Sequence, residues 1–78
     1  MTKVIERKLG RERAWGQAYK DDKVIEIDPR QGSKSYFETL IHEKLHIMFP
    51  EWEEGKVDRN AKILTSFLWK NKYRKVNL

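Results

Sequence analysis

The chain contains no cysteine, and this absence constrains its fold because 78 residues can enclose only a thin core. Domains of this size often need a covalent or metal staple in addition to their apolar contacts. Without cysteine, a disulfide framework, a thiolate metal site and a cysteine nucleophile are all excluded. Hydrophobic residues make up 38% of the chain, and an aromatic fraction of 12% argues against disorder. We therefore predict one small domain that spans residues 1–78.

Charge and hydropathy bear on the partners and the compartment. The formal net charge of +5 favours acidic partners, nucleic acid included. The basic residues lie at both ends and are not interleaved with aromatic residues, so a solvated basic surface is the preferred interpretation. The apolar runs are too short to cross a membrane, and residues 1–13 lack the apolar core of a secretory signal. We therefore expect a cytoplasmic protein with no membrane partner.

Strand patterns occupy the first third of the chain, and helical patterns occupy the rest. Residues 14–19 and 24–28 are joined by a polar turn and predict a β-hairpin, to which residues 4–9 add an edge strand. The prediction is a short antiparallel sheet of two or three strands followed by two packed helices. Because strands precede helices in this order, the fold class is α+β.

The first predicted helix carries apolar residues at spacings of three and four. Ser33 or Ser35 is a candidate N-cap, with Glu38 placed for a capping box after Ser35, and Pro50 ends the helix. The apolar residues that should form its buried face are Phe37, Leu40, Ile41, Leu45 and Met48.

The second predicted helix follows an acid-rich turn and extends to about Tyr73. Its buried stripe should consist of Val57, Ala61, Leu64 and Leu68, widened by Ile63 and Phe67. This stripe should pack against the first helix, which places the start of one helix close to the end of the other.

The two histidines of the chain lie four residues apart in the string His42-Glu43-Lys44-Leu45-His46, an HExxH motif. Side chains four apart on a helix project from one face, with Cβ atoms about 6 Å apart, so both imidazoles can bind one Zn²⁺. Glu43 lies about 100° around the helix from His42, beside the metal, where it can act as a general base. The alternative interpretation is a helix that carries two histidines and an unrelated glutamate.

A catalytic zinc ion needs a third protein ligand, and with no further His or Cys it must be a carboxylate. The candidates are Glu51, Glu53, Glu54 and Asp58, with Glu26, Asp28 and Glu38 less favoured. On the second helix, Glu54 lies about 50° from the centre of the apolar stripe and Asp58 about 90° from it. Glu54 is therefore the favoured ligand, and Asp58 is either an alternative ligand or a partner for the N–H of a ligand histidine.

The HExxH motif, together with Glu54-Gly55-Lys56-Val57-Asp58, resembles the HExxH plus ExxxD pattern of gluzincins, the thermolysin-like zinc peptidases. The resemblance implies that His42, His46 and Glu54 bind zinc, that Glu43 is the base, and that Asp58 supports a ligand histidine. Only seven residues separate His46 from Glu54, fewer than in typical gluzincins.

A second resemblance covers nearly the whole chain. The chain is similar to small phage- and prophage-encoded HExxH metallopeptidase-like proteins, usually described as SprT-like or ImmA-like. The stretches that carry this similarity are Trp15-Gly16-Gln17-Ala18, Ile25-Glu26-Ile27-Asp28, Thr39-Leu40-Ile41-His42-Glu43, Phe49-Pro50, Leu68-Trp69 and Tyr73-Arg74. It implies a minimal zincin-like domain that works in the cytoplasm of a host cell, and it adds little about the target.

Two functions follow as hypotheses. The first is a zinc-dependent metallopeptidase that hydrolyses peptide bonds in a protein or peptide substrate through a zinc-activated water, with Glu43 as general base. The strand at residues 15–19 or 24–28 is a candidate for holding the substrate as an added strand. The alternative is a non-catalytic, metal-stabilised basic domain that binds nucleic acid or a host protein.

Overall fold

The computed structural model describes residues 1–10 and 14–74, which form three strands followed by two helices. The elements are β1 (Lys3–Glu6), β2 (Gly16–Tyr19), β3 (Val24–Ile27), α1 (Ser33–Met48) and α2 (Glu54–Lys70). The predicted α+β class, with an N-terminal sheet followed by two helices, is confirmed. None of the helices in the described part of the chain is long and apolar enough to cross a membrane.

The sheet has the strand order β1-β3-β2, so β3 is central and β1 and β2 are the two edges. β2 and β3 form the predicted antiparallel hairpin, in which Gly16 pairs with Ile27. β1 runs parallel to β3, with Lys3 opposite Val24. The predicted antiparallel pairing is therefore present in the β2–β3 pair, but the third strand pairs in parallel and makes the sheet mixed. The chain crosses from one edge of the sheet to the other between β1 and β2, so β1 and β3 point the same way.

A buried carboxylate ties the exit of β1 to the end of β3. Asp28 is fully buried and accepts hydrogen bonds from the backbone N–H of Leu9 at 2.9 Å and from Arg30 Nη2 at 2.6 Å. The Arg30 guanidinium and these N–H donors outweigh burial and hold the pKa of Asp28 well below its usual range. Leu9 lies beyond the end of β1, so the strand is shorter than the predicted residues 4–9.

The helices form a second layer over the sheet. Ile25 and Ile27 of β3 are fully buried beneath α1, which contacts β2 and β3, and α2 packs on α1. The core between the helices consists of Leu45, Val57 and Ala61, with Ile41, Phe49 and Trp52 packed around it. The packing of α2 on α1 sets the distance between the histidines and the start of α2.

The buried stripe of α2 differs from the predicted one in its second half. Val57 and Ala61 are fully buried as predicted, but the next buried residue is Thr65. The predicted apolar residues on the other side of this row are exposed, with exposed fractions of 66% for Ile63, 41% for Leu64 and 62% for Phe67. Val57, Ala61 and Thr65 are spaced four residues apart, so they form one ridge that packs against α1. The third residue of this ridge is a threonine and not an apolar residue.

The ends of the helices also refine the predictions. α1 begins at Ser33 with Gly32 as N-cap and without a side-chain cap, so the capping box from Ser35 to Glu38 does not form. α1 ends at Met48, before Pro50 as predicted, but Met48 is 54% exposed. α2 ends at Lys70, short of the predicted end near residue 73.

Candidate metal centre

The two histidines lie on successive turns of α1, at the end that faces the start of α2. The side chains of His42 and His46 are mostly buried, with exposed fractions of 17% and 15%. Their rings meet edge to face, with centroids 4.9 Å apart. Helical spacing of four residues places them side by side, as the motif predicts.

A short turn between the helices brings Glu54 back to these histidines. Phe49 N donates to Leu45 O at the end of α1, and Trp52 N donates to Phe49 O. The Phe49 and Trp52 rings stack with centroids 4.1 Å apart and an angle of 8° between their planes. This compact turn lets a gap of only seven residues return the chain to the imidazoles.

Three side chains converge on one point. His42 Nε2 lies 2.6 Å from Glu54 Oε1, and His46 Nε2 lies 2.9 Å from Glu54 Oε2. The two Nε2 atoms are 3.2 Å apart. Ligand atoms bound tetrahedrally at 2.0–2.1 Å from one ion would be about 3.3–3.4 Å apart, which is close to the histidine separation, whereas both contacts to Glu54 are shorter, at hydrogen-bond distance. Within residues 1–10 and 14–74, His42, His46 and Glu54 are the one such group of His, Asp or Glu side chains placed to hold a metal ion.

The donor types fit zinc, since two imidazoles and one carboxylate form a set used by catalytic zinc sites. Glu54 is 70% exposed, so the site is open to solvent on the side of α2. The histidines, by contrast, are held by the packing of α1. The arrangement can therefore bind an ion with three protein ligands and leave a position accessible from outside.

Asp58 lies one turn after Glu54, on the other side of His42. Its Oδ1 is 3.9 Å from His42 Nδ1, beyond the range of a direct hydrogen bond. Its Oδ2 accepts from Lys62 Nζ at 2.6 Å, and this contact lowers the pKa of Asp58. Asp58 thus faces the imidazole nitrogen that points away from Glu54, and it is not part of the converging group.

Glu43 lies next to His42 on α1, and its side chain approaches Gly16 of β2. It lines a small cavity of about 190 Å³ together with Trp15, Gly16, Glu38, Thr39 and His42. Burial raises the pKa of Glu43, the charge of His42 opposes this shift, and the nearby Glu54 adds to it. The motif glutamate is therefore a partly buried carboxyl group next to His42 and outside the converging group.

Gly16 allows β2 to pack closely on α1 at this cavity. A Cβ atom at residue 16 would lie 2.5 Å from Thr39 Cγ2 and 3.1 Å from Glu43 Cγ. A hydrogen-bond chain holds this end of β2 in place, because Thr39 Oγ1 donates to Gln31 Oε1 and Gln31 Nε2 donates to Trp15 O. The contributions of Gly16, Gln31 and Thr39 were not predicted from the sequence. A glycine inside a strand pattern is a signal of close backbone approach that could have identified the first of them.

The free edge of β2 runs beside Glu43. Asp28 N donates to Trp15 O, and the antiparallel alternation then turns the backbone groups of Gln17 and Tyr19 toward β3. The N–H and C=O groups of Gly16 and Ala18 face the outer edge of β2, where no strand of the described residues pairs with them. β3 is paired on both sides, so the predicted substrate strand at residues 24–28 has no free edge, and that alternative was wrong.

The remaining carboxylates considered as ligands lie elsewhere. Glu26 accepts from Arg7 Nε and Tyr19 OH, which lower its pKa, and Asp28 is bound to Arg30. Glu51 and Glu53 are exposed in the turn before α2, and Glu38 lines the small cavity. None of these carboxylates belongs to the group that converges on the histidine nitrogens.

Comparisons with protein-family models, with curated proteins and with solved structures returned no significant match for this chain.

Proposed function

We propose that this chain is a zinc-dependent metallopeptidase that cleaves a protein or peptide substrate in the cytoplasm. The observation that supports this proposal is the meeting of His42 Nε2, His46 Nε2 and the Glu54 carboxylate, with a partly buried Glu43 beside them. Two imidazoles, one carboxylate and a neighbouring acid outside the ligand set are the groups that metal-assisted hydrolysis needs.

His42, His46 and Glu54 would hold the ion. Zn²⁺ bound there would supply Lewis acidity, which polarises a carbonyl group and makes water a stronger acid near neutral pH. Glu43 is the group that moves protons: its carboxylate accepts a proton from the attacking water and delivers it to the nitrogen of the leaving amine. The cavity between Glu43 and β2 is the place where the scissile peptide would lie.

The free edge of β2 supplies a way to hold an extended substrate. Gly16 and Ala18 present backbone N–H and C=O groups that a substrate strand can pair with. The missing side chain of Gly16 brings this edge close to Glu43. Main-chain pairing gives binding that depends weakly on substrate sequence, which suits a peptidase with a small cavity.

The test is hydrolysis of a quenched fluorescent peptide library and of unfolded casein by the zinc-loaded chain. Glu43→Gln should lower the rate of hydrolysis by about 10²-fold or more. Its zinc stoichiometry and its far-UV circular dichroism spectrum should stay as in the wild type. Glu51→Gln is the matched control because Glu51 is exposed in the turn before α2. It should retain full activity.

A second candidate function is a non-catalytic, metal-stabilised basic domain that binds nucleic acid or a host protein. The small cavity favours it, because about 190 Å³ is below the roughly 300–1,000 Å³ of typical ligand pockets. In that case the zinc-loaded wild type cleaves no substrate, and Glu43→Gln changes neither zinc binding nor partner binding. Equal cleavage by the wild type and Glu43→Gln would count against Glu43 as the base.

A further inference from the structure

The solvent-facing side of α2 combines exposed apolar side chains with cations. We name it the α2 outer face and define it by Arg59, Ile63, Phe67 and Lys70. Ile63 and Phe67 lie one helical turn apart and are exposed by 66% and 62%. Arg59 and Lys70 are exposed toward its two ends. Exposed large apolar residues in one contiguous row, rimmed by polar residues, are typical of interaction sites.

This face lies on the opposite side of α2 from the metal centre. Ile63 follows Glu54 by nine residues, and at about 100° per residue this places the two side chains about 180° apart. A partner on the α2 outer face therefore leaves the histidines and Glu43 accessible. Binding at the α2 outer face therefore does not depend on the proposed peptidase activity.

The charge on this part of the chain has one sign. No Asp or Glu occurs from residue 59 to residue 74, whereas this segment contains Arg59, Lys62, Lys70, Lys72 and Arg74. The two acids of α2, Glu54 and Asp58, lie on the side of the metal centre. Arg59 and Lys70 are exposed and take part in none of the ion pairs among the described residues, so their charges are available to a partner.

We propose that the α2 outer face binds an acidic segment of another protein that presents at least two apolar side chains at helical spacing. Its carboxylates would approach Arg59 and Lys70 while its apolar side chains cover Ile63 and Phe67. Charge complementarity selects this partner over a second copy of the chain. Two copies packed through this face would bring Arg59 and Lys70 against other cations.

The apolar centre of the face selects a protein over nucleic acid. Nucleic-acid phosphates form no favourable contact with the apolar side chain of Ile63 or with that of the neighbouring Leu64, which is 41% exposed. Phe67 is the one aromatic side chain in the centre, whereas single strands bind to several stacking platforms. An amphipathic acidic segment uses both the cations and the apolar row, so it matches the whole face.

The experiment is selection of 16-residue peptides from a random display library on the full zinc-loaded chain, with Ile63→Glu/Phe67→Glu as the depletion target. The selected peptides should carry a net negative charge and apolar residues at spacings of three or four. By calorimetry, Ile63→Glu and Phe67→Glu should each weaken the best peptide by more than about tenfold. Arg59→Gln/Lys70→Gln should weaken it and reduce its dependence on salt.

The controls separate this surface from general charge effects. Lys34→Gln lowers the net charge by one, as Phe67→Glu does, and lies at the start of α1. It should bind the selected peptide as the wild type does. Phe67→Ser repeats the test with a smaller change, and circular dichroism checks that each variant keeps its helices.

Several results would overturn the proposal. These are failure to enrich any peptide over the depletion target, selection of peptides without net negative charge, and affinity unaffected by Phe67→Ser. Self-association of the wild type that Phe67→Glu abolishes would assign the face to a second copy. The face would be assigned to nucleic acid if a single-stranded oligonucleotide displaces the peptide and binds the Ile63→Glu variant more weakly than the wild type.

Discussion

His42 Nε2 and Glu54 Oε1 lie 2.6 Å apart across the contact between α1 and α2, although the residues stand twelve positions apart in the chain. The contact lies beside the core formed by Leu45, Val57 and Ala61. The geometry of the candidate site therefore depends on the packing of the helix pair. A metal ion held by both helices would in turn stabilise this thin core.

The ligand role of Glu54 is the first prediction. Glu54→Gln should remove stoichiometric zinc binding, because the amide replaces the charged third ligand and leaves two imidazoles. Calorimetric titration and metal analysis after gel filtration measure this loss. Glu53→Gln, one position earlier, is the control and should bind one zinc ion. A Glu54→Gln protein that takes up one zinc ion with wild-type affinity would contradict the assignment.

Metal removal is the second prediction. An ion that binds only the folded chain at 100 times its Kd adds about 2.7 kcal/mol, so EDTA should lower the Tm by roughly 10–20 °C. Thermal melts followed by circular dichroism measure the shift. His42→Ala/His46→Ala is the control, and its Tm should respond to neither zinc nor EDTA. A wild-type Tm that stays unchanged after complete removal of zinc would exclude a stabilising site.

The third prediction concerns the contact between β2 and α1. Gly16→Ala should destabilise the chain by about 1–3 kcal/mol, because the new methyl group collides with Thr39 Cγ2. It should also reduce peptidase activity beyond the fraction unfolded, since it moves the free edge of β2 away from Glu43. Urea unfolding and peptide hydrolysis measure the two effects. Gly32→Ser is the control and should not destabilise the chain, because a Cβ at residue 32 meets no atom within 4 Å and serine is a favourable residue at this N-cap position. Equal stability of Gly16→Ala and the wild type would show that the close approach does not constrain the fold.

Local spacing explains what the sequence could predict of the site. The side-by-side placement of His42 and His46 follows from helix geometry alone. The return of Glu54 to them follows from two helices joined by a short turn. The direction of β1 could not be predicted in this way, because it depends on where the chain crosses the sheet. No local sequence pattern indicates where that crossing occurs.

The misplaced stripe on α2 has a different cause. Apolar residues occur on two sides of this helix. The spacing predicted that Ile63, Leu64 and Phe67 belong to the buried side, but they are exposed. The row that packs on α1 is instead Val57, Ala61 and Thr65. Because threonine is polar, the hydrophobic pattern does not predict that Thr65 is buried. A binary pattern cannot separate a core stripe from an exposed apolar row on the same helix.

Thr65 supports the fourth prediction. Its hydroxyl is buried and has no hydrogen-bond partner among the described residues. Thr65→Val keeps the shape and removes the hydroxyl, so the free energy of unfolding should rise by about 1 kcal/mol. Ser66→Val, at the exposed neighbouring position, is the control and should not stabilise the chain. Urea unfolding of both variants is the measurement, and destabilisation by Thr65→Val would show that the hydroxyl is satisfied.

The Asp28 carboxylate supports the fifth prediction, which concerns pH. Its pKa is depressed in the folded chain, mainly by Arg30, whereas in the unfolded chain it is about 3.9. A depressed pKa adds stability that is complete above the unfolded pKa and is lost as the pH falls through the folded one. The wild-type Tm should therefore fall progressively below about pH 5.

Asp28→Asn should lower the Tm at pH 7 by more than about 5 °C, because an amide cannot satisfy both Arg30 and Leu9 N–H. It should also lose less stability than the wild type between pH 5 and pH 2, since the titrating group is gone. Asp21→Asn, in the exposed turn between β2 and β3, is the control and should follow the wild-type curve. Thermal melts across this pH range provide the comparison. Parallel pH curves for the wild type and Asp28→Asn would mean that another carboxylate governs the acid transition.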